Sequence, residues 1–375
     1  MLAFKNYDFK KYNISLLVVV TMLISIGIFL IKQVRPDDYK KQIIGLIGGL
    51  LLAIIVSLID YHFIAKFYIV LYLINLVLLL LVKFIGVEHN NAQRWLDLKF
   101  FELQPSELTK IILIIFFAKV LTMFEHKINN GIFLLIIIIL MAVPTYLILT
   151  QTDLSTSIVL MTVFAMIVFS AGLSWKIILP LLIIGIPGFF GLFWYVQQDY
   201  QKLLTYYQQQ RILSILNPEA YPATMYQQEN SVQAIGSGQL TGKLFSDNST
   251  ALRGYRHVPV AESDFIFSVA GEELGFIGCC FILFLFAFII YTCLSTARKA
   301  QDKMGMLIAV GIASMFAFQT FVNIGVVTAI LPNTGIPLPF LSSGLSSLAS
   351  SMISIGLIIN IRLQHKKISD RRFLT

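Results

Sequence analysis

About ten runs of roughly 20 apolar residues divide this chain, and that recurring length constrains its surroundings more than any other feature. A helix rises about 1.5 Å per residue, so ~20 residues cross the roughly 30 Å hydrocarbon core of a bilayer. The runs centre on Val20, Leu51, Ile74, Ile114, Ile137, Val163, Ile183, Leu283, Phe316 and Ile353. The fifth and sixth are separated only by TQTDLSTS. Joined, they would be too long for one crossing, with Asp153 at a costly depth. Of 375 residues, 57% are hydrophobic and 13% charged, against about 25% charged in a soluble domain. Such a chain cannot cover its apolar surface in one aqueous globule. The expected fold is an all-α polytopic membrane protein, one transmembrane domain over residues 1–375.

An even number of crossings returns both termini to one side. Lys5, Lys10 and Lys11 precede the first run; Arg362, Lys366, Lys367, Arg371 and Arg372 follow the last; Arg298, Lys299 and Lys303 fall in a loop on the same side. Basic residues favour the cytoplasmic side, which predicts cytoplasmic N- and C-termini. Lys32, Arg35, Lys40 and Lys41 in the first opposite loop run against that pattern. The formal charge of +8 gathers at helix ends rather than on one face, so membrane lipids and not nucleic acid are the expected neighbours. The first run, near residues 13–31, lacks a small-residue cleavage site and is long enough to remain as a membrane helix. Cys279, Cys280 and Cys293 sit in or at the end of one run and read as packing residues without a disulfide framework. The five histidines show no ligand spacing, which predicts no tightly held structural metal.

One connection is out of scale: about 60 residues, 199–263, between the seventh and eighth runs on the extracytoplasmic side. It is rich in Tyr and Gln, unlike a disordered tract. It ends in VPVAESDFIFSVAGEELGF, from Val258 to Phe276, where Glu262, Asp264, Glu272 and Glu273 stand at the mouth of an apolar helix. Pro259 predicts a helix start just beyond it, with Glu262 or Ser263 as cap and Asp264 in the first turn. Ser268, Gly271, Gly275 and Gly278 share the face of Asp264, a small-residue stripe open to another helix or a lipid tail. The plainer reading of Asp264 is a helix-terminal group without chemistry; the functional one is an acid heading an outer groove.

Four more stretches carry candidates. In NAQRWLDLKFFELQPSELTK, Gln104-Pro105-Ser106-Glu107 starts a helix, and Glu107 and Lys110 can pair. Arg94 is a candidate interfacial anchor or phosphate ligand. Asp153 is either the cap of the next helix or a second acid near Asp264. AIGSGQLTGK fails as a phosphate loop, because Ser237 replaces the first glycine and Leu244 the final Ser or Thr. Arg211, Arg253 and Arg256 share the large loop and form a candidate anion-binding group. In LPNTGIPLPFLSSGLSS, Pro332, Pro337 and Pro339 break any helix, and Ser342, Ser343, Ser346 and Ser347 offer hydroxyls to a cavity.

The motifs QRWL…QPSELTK, QTDLSTS, AIGSGQLTG, VPVAESDFIFSVAGEELG and LPNTGIPLPFLSSG, in this order, resemble the SEDS proteins (shape, elongation, division and sporulation) over nearly the whole chain. Within that family the likeness is greatest to the RodA elongation branch. The resemblance implies a bacterial cytoplasmic-membrane enzyme of ten helices with a large outer loop between helices seven and eight. It implies a peptidoglycan glycosyltransferase that joins lipid II, an undecaprenyl-pyrophosphate-linked disaccharide peptide, into glycan strands. It implies a class B penicillin-binding protein as partner, and a divalent cation, Mg2+ or Mn2+, with no organic cofactor. The family's essential aspartate maps to Asp264, which would act as general base. Asp153 would orient the site or, with Asp264, hold a weakly bound cation. Arg94, Lys110, Arg211 and Arg256 are candidates for the pyrophosphate. Glu107, Ser342 and Ser343 are supporting candidates. Departures are Glu262-Ser263 where His-Thr is frequent, Ser155 for a glycine, Leu345 in the late glycine motif, and Gln239 and Leu244 where glycine is usual. A lipid II flippase or a non-catalytic scaffold of the wall-building complex are the competing classes.

Overall fold

The computed structural model describes residues 7–89, 92–97, 99, 102–198, 200–204, 206–244 and 253–364. Asp199, where the large loop was expected to begin, and Lys5, Lys366, Lys367, Arg371 and Arg372 lie outside the described residues. The helices are α1 (Ile14–Val34), α2 (Tyr39–Leu58), α3 (Tyr61–Lys66), α4 (Tyr68–Ile85), α5 (Pro105–Met123), α6 (Gly131–Thr150), α7 (Leu154–Ser170), α8 (Trp175–Val196), α9 (Tyr206–Leu216), α10 (Pro222–Ser237), α11 (Ile266–Lys299), α12 (Lys303–Val327) and α13 (Leu345–Leu363). Among the described residues, eight are long and apolar enough to cross a membrane. The runs centred on Ile114 and Val163 also form helices, α5 and α7. However, α5 carries Glu107, Lys110 and Lys119, and α7 has 17 residues. The protein is a multi-pass, predominantly helical membrane protein.

One small sheet accompanies the all-α architecture. Between α4 and α5 the chain forms a small antiparallel sheet of β1 (Val87–His89), β2 (Ala92–Asp97) and β3 (Glu102–Leu103), in that order. Leaving the helix at Gly86 strands backbone groups that sheet pairing satisfies. The Gln93 side chain adds a bond from Nε2 to the Gly86 carbonyl at 2.8 Å.

The bundle is organised around α12 and α13, whose spans are 72% buried, whereas α8 is wholly peripheral. Small residues permit the closest approaches, since packing between membrane helices relies on contact rather than on expulsion of water. A Cβ at Gly356 of α13 would lie 2.7 Å from the Ala53 carbonyl of α2. Pro180 and Pro187 lie inside α8.

The longest helix, α11, is broken. Gly275 has φ +66, and the ladder is interrupted there. The segment after α10 fills the break with main-chain bonds. The amides of Lys243 and Leu244 donate to the carbonyls of Glu272 and Glu273 at 2.9 and 3.0 Å, and those of Phe276 and Ile277 donate to Gln239 and Leu240 at 2.9 and 3.1 Å. Each freed backbone group thereby finds a partner, as a low-dielectric interior demands. Gly275→Ala meets two penalties, a left-handed φ and a Cβ 2.7 Å from the Leu240 carbonyl. The conformation alone costs about 1–3 kcal/mol, so the variant should melt lower in detergent. Gly185→Ala, with nothing within 4 Å of its new methyl, should not; equal melting of the two variants would contradict the description of the break.

At the opposite end of the bundle, side chains tie α2, α3, α12 and α13 together. His62 lies between two carboxylates, Nδ1 2.8 Å from Asp60 and Nε2 2.9 Å from Asp302. Tyr61 donates to Asp302 at 2.6 Å, and Gln364 to Asp60 at 2.7 Å. Burial alone would lower the His62 pKa, but the hydrogen bonds to Asp302 and Asp60 prevail and raise it to about 9. A folded pKa above the unfolded value of about 6.5 contributes stability that is complete below that value. It is lost as pH rises through about 9. Melting profiles should therefore fall between these limits, and His62→Ala should flatten that slope.

Candidate active site

Several segments meet at the end of the bundle opposite His62: residues 260–265 before α11, residues 332–344 before α13, the turn between α6 and α7, strand β2, and α9. Asn323 of α12 joins the first two. Its Nδ2 donates to the carbonyls of Asp264 at 2.7 Å and Ile336 at 2.8 Å. The helix starts at Ile266 with Phe265 as N-cap, so Asp264 lies outside the first turn, contrary to expectation. The reason is visible in the backbone. Val260 is at φ +56, and the Asp264 carbonyl bonds to Asn323 rather than along the helix. The Ser263 hydroxyl donates to Asp264 Oδ1 at 2.9 Å.

Asp264 is half-buried, and charged groups surround it. Burial pushes its carboxyl above the usual carboxylate range; Ser263, Arg211 and Arg94 pull it back without reversing the shift, and Asp153 adds to it. Asp264, Asp153, Arg94 and Arg211 are thus brought together from four parts of the chain. Asp153 caps α7, accepting from the Thr156 amide at 3.1 Å and its hydroxyl at 2.9 Å. Arg94 lies 4.0 Å from Asp153 and donates to the Thr152 carbonyl at 2.7 Å. Asp153 is therefore a helix cap that also lies beside Arg94, and its charge bears on Asp264.

Gly335 closes the other side. It has φ +72, and a Cβ there would lie 3.2 Å from Asp264 Oδ2 and 4.0 Å from Arg211 Nη1. The Ser155 hydroxyl donates to the Thr334 carbonyl, tying this turn to α7. Serine at the frequent glycine position is therefore a bracing group.

Other candidates fall elsewhere. Lys110 is 2% exposed and pairs with Glu107 at 2.8 Å, whose second oxygen accepts from Ser350 at 3.0 Å. This pair joins α5 to α13 inside the bundle, so Lys110 is not a surface cation for a phosphate. Arg256 is exposed, and its charge bears on Tyr255. The hydroxyls of Ser342 and Ser343 are engaged within the protein. Ser342 accepts from the Leu338 amide at 2.7 Å and donates to the Ser263 carbonyl at 2.7 Å; Gln42 donates to the Ser343 hydroxyl at 3.1 Å. Both brace the segment that carries Asp264. The small-residue stripe is covered as well: Gly271 meets Ile235 of α10, and Gly275 receives residues 240–242. At these two glycines the stripe holds protein rather than a lipid tail, because a broken helix must bind backbone. Glu272 accepts from Lys243 and from the amides of Gly254 and Tyr255 at 2.7 and 2.8 Å, and Glu273 accepts from Arg253 at 2.8 Å.

Asn323 and Gly335 were not singled out in the sequence. Asn323 had a signal, as a carboxamide within an apolar run. Gly335 stands in the P-N-T-G turn, where a positive φ is common. Gly335→Ala should reduce the activity of this site by crowding Asp264, and its left-handed φ should also lower the melting point, by the about 1–3 kcal/mol that the conformation alone costs. Turnover measured beside a melting curve checks this.

Among the described residues no group of three or more His, Cys, Asp or Glu converges on a metal position. Each Asp153 oxygen accepts one hydrogen bond from Thr156, and Asp264 Oδ1 accepts one from Ser263, so both carboxylates keep acceptor capacity. One carboxylate together with substrate phosphates is a common arrangement for Mg2+.

Comparison with known proteins bears on this site. The family model for FtsW, RodA and SpoVE, described as "Cell cycle protein", matches residues 9–367. A "Probable peptidoglycan glycosyltransferase FtsW" from Trichlorobacter lovleyi is 34% identical, covering 95% of this chain and 94% of its own. "Peptidoglycan glycosyltransferase MrdB" of Escherichia coli K12 is also 34% identical, over 80% of this chain and 78% of its own. A solved structure described as "Structural coordination of polymerization and crosslinking by a peptidoglycan synthase complex" superposes with TM-score 0.76 at 27% identity, covering 96% of this chain and 98% of that one. The RodA likeness is not specifically favoured, since the FtsW- and MrdB-named relatives stand at equal identity. A match over nearly the full length, on a shared fold, means that this chain belongs to the FtsW/RodA/SpoVE family, the SEDS proteins.

Proposed function

We propose that this protein is a peptidoglycan glycosyltransferase that polymerises lipid II at the outer face of the bacterial cytoplasmic membrane, with Asp264 as general base. The observation that carries this reading is the setting of Asp264: half-buried, with a raised pKa, beside two arginines and at the end of a membrane helix. A carboxyl raised toward neutrality is a better proton acceptor than an ordinary one, and a positioned base contributes about 10² to 10⁴ in rate. The acceptor sugar hydroxyl gives its proton to Asp264, and its oxygen forms a bond to the donor's anomeric carbon. The bond from that carbon to the pyrophosphate oxygen breaks, and the pyrophosphate leaves as an anion. Arg94 and Arg211 supply positive charge for it, a role in which fixed cations act strongly at low dielectric. A divalent cation, for which Asp153 and Asp264 are the candidate holders, would supply further neutralising charge to the leaving group.

The large loop (199–263), the termini and the helices take positions that follow from this reading. The Asp264 end faces outward, the His62 end and both termini face the cytoplasm, and α5 and α7 complete ten crossings of a single domain. The synthase-complex likeness supports a partner that crosslinks the strands, of the class B penicillin-binding type. The elongation and shape role rests on the motif likeness alone.

The test is polymerisation of lipid II by purified protein in detergent, where sidedness is lost and neither a flippase nor a scaffold makes polymer. Asp264→Asn should produce no glycan strands. With wild type, the acidic limb of the pH–rate profile should lie above the ordinary carboxylate range, activity rising as Asp264 loses its proton. Normal strands from Asp264→Asn would end the assignment.

A further inference from the structure

We propose that Arg35, at the end of α1, is a positioning residue that holds Asp264 in place through Glu262; this rests on the glycosyl-transfer reading above. Arg35 Nε lies 3.0 Å from Glu262 Oε1. The Glu262 side chain is 8% exposed and that of Arg35 56%. Among the described residues, Arg35 is the only cation within ion-pair distance of Glu262. A carboxylate that buried is costly without its cation.

The pair acts on a segment held at every residue. The Glu262 carbonyl accepts from the Ser343 amide at 2.8 Å, the Ser263 carbonyl from the Ser342 hydroxyl at 2.7 Å, and the Asp264 carbonyl from Asn323 at 2.7 Å. The Ser343 hydroxyl is in turn bonded to Gln42 of α2. The corner between α1 and α2 thus grips the Asp264 segment twice, at Arg35 and at Gln42. Two residues before Glu262, Val260 is held at φ +56, a strained conformation for a β-branched residue. Strain of this kind persists only where neighbouring bonds over-determine it. Without Arg35, Glu262 gains by turning toward water, and Val260 gains by relaxing. Both movements displace Asp264, two residues away.

The experiment compares wild type, Arg35→Ala, Arg35→Lys and Glu262→Gln in lipid II polymerisation, with melting curves. Arg35→Ala and Glu262→Gln should lose about 10- to 100-fold in kcat, the scale on which small misplacements of a reacting group act. KM should stay within about twofold, because neither side chain is placed on the substrate. Arg35→Lys, which keeps the charge, should recover much of the loss. Because Glu262 is buried, Arg35→Ala should melt lower than wild type, and Arg35→Lys should recover melting together with kcat. Wild-type kcat in Arg35→Ala, a change confined to KM, or Arg35→Lys no better than Arg35→Ala would overturn the proposal while leaving the polymerase reading intact. Wild-type protein that makes no polymer would overturn both.

Discussion

Backbone hydrogen bonding at membrane depth is the constraint on which this structure depends. A peptide group left unpaired away from water costs several kcal/mol. Yet the Asp264 end of the bundle is built from chain that is not helical. The protein meets the requirement with donors and acceptors supplied from outside each segment. Residues 239–244 complete the ladder across the Gly275 break. Asn323 binds two carbonyls from different segments, and Ser342 joins the Leu338 amide to the Ser263 carbonyl. Irregular backbone is what lets one end of a helical bundle gather polar groups, and these few side chains make it tolerable.

The charges follow the same logic. Glu272 and Glu273 lie deep, and each is neutralised by a cation from the large loop, Lys243 and Arg253. Glu107 and Lys110 neutralise each other. These acids fasten the loop and the helices. Asp264 differs: the charges of Arg211, Arg94 and Asp153 all bear on it. That contrast is what the proposed role of Asp264 as a general base rests on.

Much of the fold could be read from the sequence, because membrane helices announce themselves locally through length and hydropathy. The runs centred on Ile114 and Val163 do form helices, although one carries three charges and the other is short. The sheet around Arg94 escaped notice because its strands are two to six residues long. Asp264, Asp153, Arg94 and Arg211 were all candidates, drawn from motifs scattered along the chain. Lys110 has surroundings the motif does not reveal, a buried pairing with Glu107. Nothing in QPSELTK says whether a lysine meets a phosphate or the glutamate three residues before it; burial decides that. Likewise a stripe of glycines marks a close approach without naming what approaches.

The sequence by itself determined that the chain lives in a bilayer, roughly where its helices run, and which acids and arginines stand near helix ends. These properties depend on composition within one helix length. Tertiary structure alone decided which of those groups meet. Asp264 and Arg94 lie far apart along the chain and become neighbours only because α6, α7, α11 and α12 pack side by side. Whether a carboxylate is fastened by a cation depends on the distance to one supplied by another segment, and local sequence carries no record of that distance.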